Sequence, residues 1–191
     1  MDATTPLGQG GLFFLQFVVR LVLFGLMLRF LMRATYADWR NPIVTFIAKA
    51  TNPLCAPANK LLPTRGRWDW AAIITALVLY SGYVVAIGVL TDRSFGPVFV
   101  ALEVLNQLLD MLFWLIVIQI ILSWVSPQPN PNTVLFQQLT EPVLEPFRRL
   151  LPATGGFDFS PILAILAIKL VQIIGVGSLT AIAQGMIGGA V

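Results

Sequence analysis

Four long apolar stretches constrain the fold more than any other feature of this sequence. They run from about Leu12 to Met32, Trp70 to Leu90, Leu102 to Val125 and Phe159 to Ala183. Each holds the roughly 20 residues that a helix needs to cross a bilayer core of about 30 Å. The strands of a membrane barrel alternate in polarity over only about 10 residues, so these stretches favour helices. We therefore predict an all-α membrane protein with four transmembrane helices.

Composition narrows the function classes. The chain is 57% hydrophobic and 11% charged, outside the range of ordinary soluble domains. It has no histidine and one cysteine, Cys55, which removes most zinc, haem and iron–sulfur ligand sets and every nucleophile–histidine pair. The net charge of +3 is explained better by membrane orientation than by nucleic acid. We expect a non-enzymatic protein with no catalytic residues, no cofactor, no metal and no nucleic-acid partner.

Basic residues are concentrated in the two long connections between the stretches. Six Lys and Arg residues lie between the first two stretches and two lie between the last two, whereas the residues up to Gly11 include none. Basic connections stay on the cytoplasmic side of a membrane. We therefore predict a multi-pass inner-membrane protein, with both long connections inside and both termini outside.

A period of 89 residues relates the second half of the chain to the first, because Asn41-Pro42 then falls on Asn130-Pro131 without a gap. Further matched pairs are Pro53 with Pro142, Pro57 with Pro146, Lys60 with Arg149, Pro63 with Pro152, and Asp69 with Asp158. Two copies that each cross the membrane twice have the same orientation. The sequence therefore predicts two parallel tandem repeats, residues 1–95 and 96–191, related by a pseudo-twofold axis along the membrane normal.

The second copy carries a longer motif that resembles the signature of the YggT family, which includes YlmG-like proteins of bacteria and plastids. The motif consists of Leu122-Ser-Trp124, Asn130-Pro131, Thr140 to Arg149, Leu151-Pro152 and Gly155 to Pro161. The first copy departs from it, with Arg67 in place of a glycine and Ala71-Ala72 in place of Ser-Pro. The resemblance implies a role in envelope homeostasis, with members associated with osmotic tolerance, cell division or plastid cytochrome assembly.

Each long connection is predicted to contain two short amphipathic helices at the cytoplasmic interface. In the second copy an apolar face is formed by Val143, Leu144, Phe147, Leu150 and Leu151. A helix with basic residues beside such a face lies flat among lipid headgroups, so Arg148 and Arg149 are expected to meet anionic headgroups. In the repeat register Cys55 takes the place of Leu144, which favours a small buried side chain over a reactive thiol.

Paired prolines follow in both connections, Pro53 with Pro57 and Pro142 with Pro146. One proline of each pair fits the first turn of a helix, but the second removes an amide donor from the next turn. A fixed bend in the chain is the favoured interpretation. A binding groove at the bend is the alternative.

Polar residues stand at the start of the second span of each copy, one in the first copy and two in the second. Asp69 and Asp158 precede the spans directly, and Ser160 precedes a proline. Side-chain acceptors at these places satisfy free amide groups and meet the positive end of the helix dipole. We expect these residues to start helices rather than to catalyse a reaction.

Five polar side chains inside the predicted spans are the strongest functional candidates: Arg20, Arg29, Asp110, Gln119 and Lys169. Charged groups are costly in a membrane unless they are paired or hydrated. Ion pairs that only join helices, and side chains that reach toward the headgroups, explain them about as well.

The repeat register proposes partners for these charges. It places Arg20 level with Asp110, so the two are expected to pair, with Glu103 as the alternative partner of Arg20. Lys169 falls near the middle of its span, where Tyr80 stands in the first copy. Gln119 and Gln172 are expected to share its site.

Two functions remain open. The first is a structural or assembly factor in envelope homeostasis, since the repeated elements are interfacial helices and packing signals rather than reactive groups. The alternative is a subunit of an oligomeric ion channel or transport component in osmotic adaptation, suggested by the intramembrane charges. Small residues at Gly175 and Gly177 to Ser178 suit self-association. The expected partners are membrane lipids, other membrane proteins and possible further copies of this chain.

Overall fold

The computed structural model describes residues 6–62, 66–91, 96–125, 128, 130–150 and 158–188. These residues are almost entirely helical, and no strand occurs among them. The elements are α1 (Pro6–Ala34), α2 (Pro42–Leu61), α3 (Trp70–Thr91), α4 (Pro97–Val125), α5 (Pro131–Leu150), α6 (Ser160–Leu170), a π-helical segment (Val171–Val176) and α7 (Gly177–Gly188).

Four helical segments are long and apolar enough to cross a membrane: Pro6–Ala34, Trp70–Leu90, Pro97–Val125 and Ser160–Ala183. The last combines α6, the π-helical segment and the start of α7. These four segments coincide with the four apolar stretches, and their outer faces expose large apolar side chains that suit contact with lipid. Length and composition therefore indicate a multi-pass, all-helical membrane protein.

Between the spans lie α2 and α5, which together we call the platform. Each is one continuous helix of 20 residues, whereas two short helices were expected in each connection. The helix begins at a proline, and the preceding asparagine caps it: the Asn41 carbonyl oxygen Oδ1 accepts from the Ile43 amide at 2.8 Å, and Asn130 Oδ1 accepts from the Thr133 amide at 2.9 Å. Asparagine followed by proline is therefore the start signal of both platform helices.

The paired prolines lie inside the platform helices rather than in a first turn. Pro53 and Pro57 are within α2, and Pro142 and Pro146 are within α5. All four are exposed on the outer side of the platform. The expectation that one of each pair starts a helix is therefore wrong, because the Asn-Pro signal starts it 11 residues earlier (53 − 42 and 142 − 131). Pro63 and Pro152, also part of the repeated motif, lie outside the described residues.

The helices pack as two similar halves joined along α4. In the first half α1 contacts α2 and α3, and in the second half α4 contacts α5 and the α6–α7 span. Between the halves, α1 and α3 both pack on α4, but α6 makes no contact of similar extent with α1 within the described residues. In the platform, the Asn41 Nδ2 donates to the carbonyl oxygen of Pro131 at 2.9 Å. The two halves are thus linked at the platform and along α4, with α6 standing apart from α1.

Candidate functional site

A buried ion pair joins the first span to the start of the second. The Nε of Arg29 lies 2.9 Å from Oδ2 of Asp69, and the two side chains are 7% and 0% exposed. Arg33 adds a second cation, with Nη1 3.6 Å from the same carboxylate oxygen. The other oxygen of Asp69 accepts from the Ala72 amide at 3.2 Å, so Asp69 also caps α3. One carboxylate therefore fixes both the start of α3 and its distance from α1.

The same guanidinium reaches the platform. Arg29 Nη1 donates to Oδ1 of Asn52 at 2.6 Å and to Oγ1 of Thr51 at 3.2 Å. Thr51 in turn donates to the Ile47 carbonyl at 2.7 Å. Arg29 thus connects α1, α2 and α3 through one side chain. A buried charge with this many partners holds helices in one arrangement, since each partner would otherwise lose its hydrogen bond out of reach of water.

The second half builds the corresponding connection with a different cation. Arg148 of α5 donates from Nη1 to Glu141 at 2.6 Å and from Nε to Asp158 at 3.0 Å. Glu141 and Asp158 stand 89 residues after Asn52 and Asp69 (141 − 52 and 158 − 69). The cation therefore comes from the platform in the second half and from a span in the first.

A neutral amide takes part of the role of Arg29 in the second half. The Thr140 hydroxyl donates to Oε1 of Gln119 in α4, and Thr140 is fully buried. Thr140 matches Thr51, so Gln119 holds the second platform helix as Arg29 holds the first. Gln119 was expected near Lys169, and that expectation is wrong because its amide is engaged at the platform.

Asp158 organises the start of α6. Its Oδ1 accepts from the Ser160 amide at 2.9 Å and from the Ser160 hydroxyl. Partial burial raises the pKa of Asp158, but the bonds from Ser160 and the Arg148 guanidinium outweigh it, so the pKa lies below its usual range. Burial also disfavours the charge on Arg148, but Glu141 and Asp158 raise its pKa overall. Ser160 was expected as the cap itself, yet it begins the helix and Asp158 supplies the acceptor.

A second polar group, which we call the intramembrane cluster, lies between α4 and the last span: Asn106, Asp110, Lys169 and Gln172. Lys169 Nζ lies 3.3 Å from Oδ1 of Asp110 and 2.8 Å from Oε1 of Gln172. Gln172 Nε2 donates to Asp110 Oδ1 and to Asn106 Oδ1, each at 2.9 Å. The side chains of Lys169 and Asp110 are 39% and 46% exposed. The Arg29–Asp69 pair is buried, whereas the Lys169–Asp110 pair is hydrogen-bonded but partly exposed.

The predicted pairing of Arg20 with Asp110 is wrong. The carboxylate of Asp110 faces Lys169 and Gln172 on the last span, because the 89-residue register fixes depth along a helix but not the side that a residue faces. The side chain of Arg20 is exposed, and among the described residues it forms no ion pair with Asp110 or with Glu103, its alternative partner. Gln172 does share the site of Lys169, as expected. Asn106 was missed, although it stands four residues before Asp110 on the same helix face.

The π-helical segment contains Gln172, one of the four residues of the intramembrane cluster. The Gly177 amide donates to the carbonyl of Gln172, five residues earlier, which is the π pattern. Such segments are rare and occur often at functional sites. Lys169 Nζ also lies 4.3 Å from the centre of the Phe113 ring, which adds a cation–π contact. The cluster thus combines a charge pair, two amides, an aromatic face and an irregular backbone.

The remaining motif residues lie on the platform. Cys55 is a free thiol with no exposure, and burial raises its pKa, which fits the interpretation as a small core residue. Lys60 and Arg149 are exposed at the ends of α2 and α5. Arg149 pairs with Glu145 at 2.8 Å within α5. Among the described residues, no three His, Cys, Asp or Glu side chains lie close enough to hold a metal ion.

Comparison with known proteins gives one family. A family model described as CCB3/YggT matches residues 9–90 and again 98–179. An uncharacterized protein of Pseudomonas aeruginosa is 35% identical over 182 residues, covering 92% of each chain. The uncharacterized protein YggT of Escherichia coli K12 is 34% identical over 163 residues, covering 84% of this chain and 86% of that one. No solved structure matches.

Proposed function

Because this chain belongs to the CCB3/YggT family, we propose that it acts as a non-enzymatic structural or assembly factor in the envelope homeostasis of the bacterial inner membrane. In this proposal the chain consists of two parallel units, residues 1–95 and 96–191. Each unit anchors one platform helix. The platform is the surface that other membrane proteins bind.

In the orientation that we propose, the platform lies at the cytoplasmic surface and both termini lie outside. Basic residues support this, since Arg33, Lys60 and Arg149 all lie at the platform end of the bundle. Exposed aromatic side chains near the same end, among them Trp39 and Trp124 at 50% and 81% exposed, suit the headgroup region. Exposed leucines at the platform ends, Leu61 and Leu150, would then enter the lipid interface.

One observation carries the proposal: the polar groups at the platform are used to hold it in place. Arg29 ties α2 to two spans, and Arg148 ties α5 to the start of α6. Within the described residues, no buried side-chain nitrogen or oxygen lacks a hydrogen-bond partner. A platform whose polar groups are already hydrogen-bonded is suited to binding a partner. Its side chains lose little conformational entropy on binding, because they are already ordered.

The platform also offers a place for a partner to bind. A cleft of about 410 Å³ lies where the two halves meet, lined in part by Asp38, Arg40, Asn130 and Gln138. Its walls combine these charged and amide groups with a larger apolar surface that includes Val134 and Leu135, which suits a protein partner that presents both apolar and polar side chains. We therefore assign the cleft to partner binding within the scaffold role.

A channel or transport component is the alternative, and the intramembrane cluster favours it. Lys169 and Asp110 are paired yet partly exposed within a span, and such residues mark solute or ion pathways in many membrane proteins. A pathway through four spans alone would be narrow, so this function requires several copies of the chain.

The experiment compares variants of the two regions in a strain that lacks the protein. We expect Arg40→Glu with Gln138→Glu, which alter the cleft, to abolish recovery from osmotic shift. Asp110→Asn with Lys169→Met should leave recovery intact. Membrane abundance of each variant, measured by immunoblot, controls for folding. The transport function would be supported instead if the cleft variant recovered, the Asp110→Asn, Lys169→Met variant did not, and proteoliposomes showed an ion flux above that of empty liposomes.

A further inference from the structure

One face of α4 is polar over two turns within the span. Glu103, Asn106, Gln107 and Asp110 follow the spacing i, i+3, i+4 and i+7, which places them on one side of the helix. All four are half-buried rather than fully exposed or enclosed. The stripe is about 10 Å long, from the rise per residue of an α-helix. A lipid-facing helix surface would be apolar at these positions, so the stripe faces other surroundings.

The stripe borders the last span, since Gln172 bonds to Asn106 and Asp110. Both α1 and α6 contact α4, but they make no contact of similar extent with each other within the described residues. The stripe of α4 therefore stays partly exposed between α1 and α6, and we call this surface the crevice.

Both walls of the crevice carry a cation, and its floor carries two carboxylates. Arg20 is exposed on α1, and Lys169 stands on α6 facing Asp110. The pair of Arg29 and Asp69, at 7% and 0% exposure, shows how this chain encloses charges that join helices. Lys169 and Asp110, at 39% and 46%, are left open instead. Open charges at this depth require water, since lipid cannot solvate them.

Tyr80 stands at the position of the first half that matches Lys169, and it is 9% exposed within the first apolar core. The side chain of Lys169 is 39% exposed. The covered position thus holds an aromatic ring and the open one a lysine.

The crevice ends inside the membrane. One turn beyond Asp110, toward the platform, Phe113 and Trp114 pack edge to face with ring centres 5.3 Å apart. Leu115 and Ile116 follow and are buried in the two apolar cores. The polar surface therefore stops at these rings, and the described residues of α4 offer no polar continuation toward the platform before Gln119, which is bonded to Thr140.

We propose that the crevice between α1 and α6 is a water-filled half-channel, which enters the membrane from the end opposite the platform and stops at Phe113 and Trp114. It admits water and small inorganic ions to the Lys169–Asp110 pair. The proposal goes beyond the scaffold function and stands whether the platform binds partners or not.

Thiol labelling tests it, because a cysteine reacts as the thiolate, which forms in water and not in lipid. In the full chain with Cys55→Ala, single cysteines are introduced as Glu103→Cys, Gln107→Cys and the control Leu105→Cys. Leu105 lies at the same depth of α4, is 42% exposed and stands off the stripe. Purified protein in liposomes receives a membrane-impermeant methanethiosulfonate on both sides, so labelling does not depend on orientation.

We expect positions 103 and 107 to react at least about tenfold faster than position 105, and Trp114→Cys to react as slowly as position 105. Equal rates at 103, 105 and 107 would overturn the proposal and indicate that lipid or a second protein surface covers the stripe. Fast labelling of Trp114→Cys would show that the half-channel does not stop at Phe113 and Trp114. Two stripe positions are used so that one poorly folded variant does not decide the result.

Discussion

The Nε of Arg29 stands 2.9 Å from the carboxylate of Asp69, and this contact joins α1 to α3 where neither side chain is exposed beyond 7%. Thr51 and Asn52 of the platform bond the same guanidinium. The guanidinium of Arg29 therefore connects three helices, α1, α2 and α3. Removing any single member leaves the other groups buried without their partner, which costs more than the pair itself contributes.

We expect Asp69→Asn and Arg29→Met each to destabilise the protein by about 3 to 5 kcal/mol, and the double variant to lose much less than their sum. Asparagine retains the acceptor that caps α3, so the cycle isolates the charge. Thermal unfolding in detergent measures the coupling. The exposed pair of Arg149 and Glu145 is the matched control and should show a coupling below about 1 kcal/mol. Additive single losses at Arg29 and Asp69 would refute a shared buried charge.

In the intramembrane cluster we expect coupling between Lys169 and Asp110 and none between Arg20 and Asp110. Lys169→Met leaves the Asp110 carboxylate with the Gln172 amide alone, so adding Asp110→Asn should restore part of the lost thermal stability. Arg20→Leu with Asp110→Asn should be additive, because the two side chains face different helices. If Arg20→Leu instead rescued the stability of Asp110→Asn, the two side chains would be paired, contrary to the structure.

Stability should fall at acid pH in part through Asp158. Its pKa is lower in the folded chain than in the unfolded one, so the ionised carboxylate stabilises the fold above about pH 4, and this contribution is lost as the pH falls through the folded-state value. Asp158→Asn should flatten the decline of Tm below about pH 4. Arg148→Met should flatten it in part. If the dependence of Tm on pH were unchanged in both variants, Asp158 would not be a source of the loss of stability at acid pH.

The two adjacent arginines of α5 should behave differently. Arg148 is held by Glu141 and Asp158, whereas Arg149 is 77% exposed. We expect Arg149→Glu to weaken binding of anionic lipid by more than the about 1 kcal/mol of one surface cation, with little change in Tm. Arg148→Glu should instead lower Tm. Hydrogen exchange of α5 in liposomes with and without anionic lipid measures the first effect. Equal loss of lipid protection in both variants would mean that Arg148 also reaches the headgroups.

Topology is checked by labelling exposed platform positions. With Cys55→Ala as background, Lys49→Cys in α2 and Arg149→Cys in α5 should react with an impermeant maleimide in inverted membrane vesicles and not in intact spheroplasts. A cysteine placed at Pro6 should show the reverse pattern. Labelling of position 49 or 149 from outside would reverse the proposed orientation.

The spans could be predicted from the sequence because continuous hydropathy depends on composition along one helix. The start of each platform helix could also have been found, since Asn41-Pro42 and Asn130-Pro131 combine a cap with a residue fit for a first turn. The paired prolines led to a wrong prediction of where the platform helices begin, because a helix that is held by a buried network of hydrogen bonds tolerates prolines in its interior. Helix propensity alone does not include such tertiary contacts.

Partners across helices were harder to predict. Depth follows from counting residues, and it placed Arg20 and Asp110 at one level. Which side of α4 a residue faces depends on how α1, α3 and α6 surround it, and the sequence of one chain does not contain that information. Asn106 could have been found from its spacing to Asp110. The change of cation between halves, Arg29 in one and Arg148 in the other, could not, since the repeat alignment matches neither residue to a cation.

The π-helical segment at 171–176 gives the last span one residue more than an even α-helix between α6 and α7 would need. An α-helix turns by about 100° per residue and a π-helix by roughly 80°, so six π residues turn the chain about as far as five α residues. Deleting one residue from this segment would therefore let the helix wind evenly and leave α7 in nearly the same orientation relative to α4. The same deletion within α6 would rotate every later residue of the span by about 100° and turn a different side of residues 177–188 toward α4. In the last span, the π-helical segment is therefore the place where a change of length is absorbed locally.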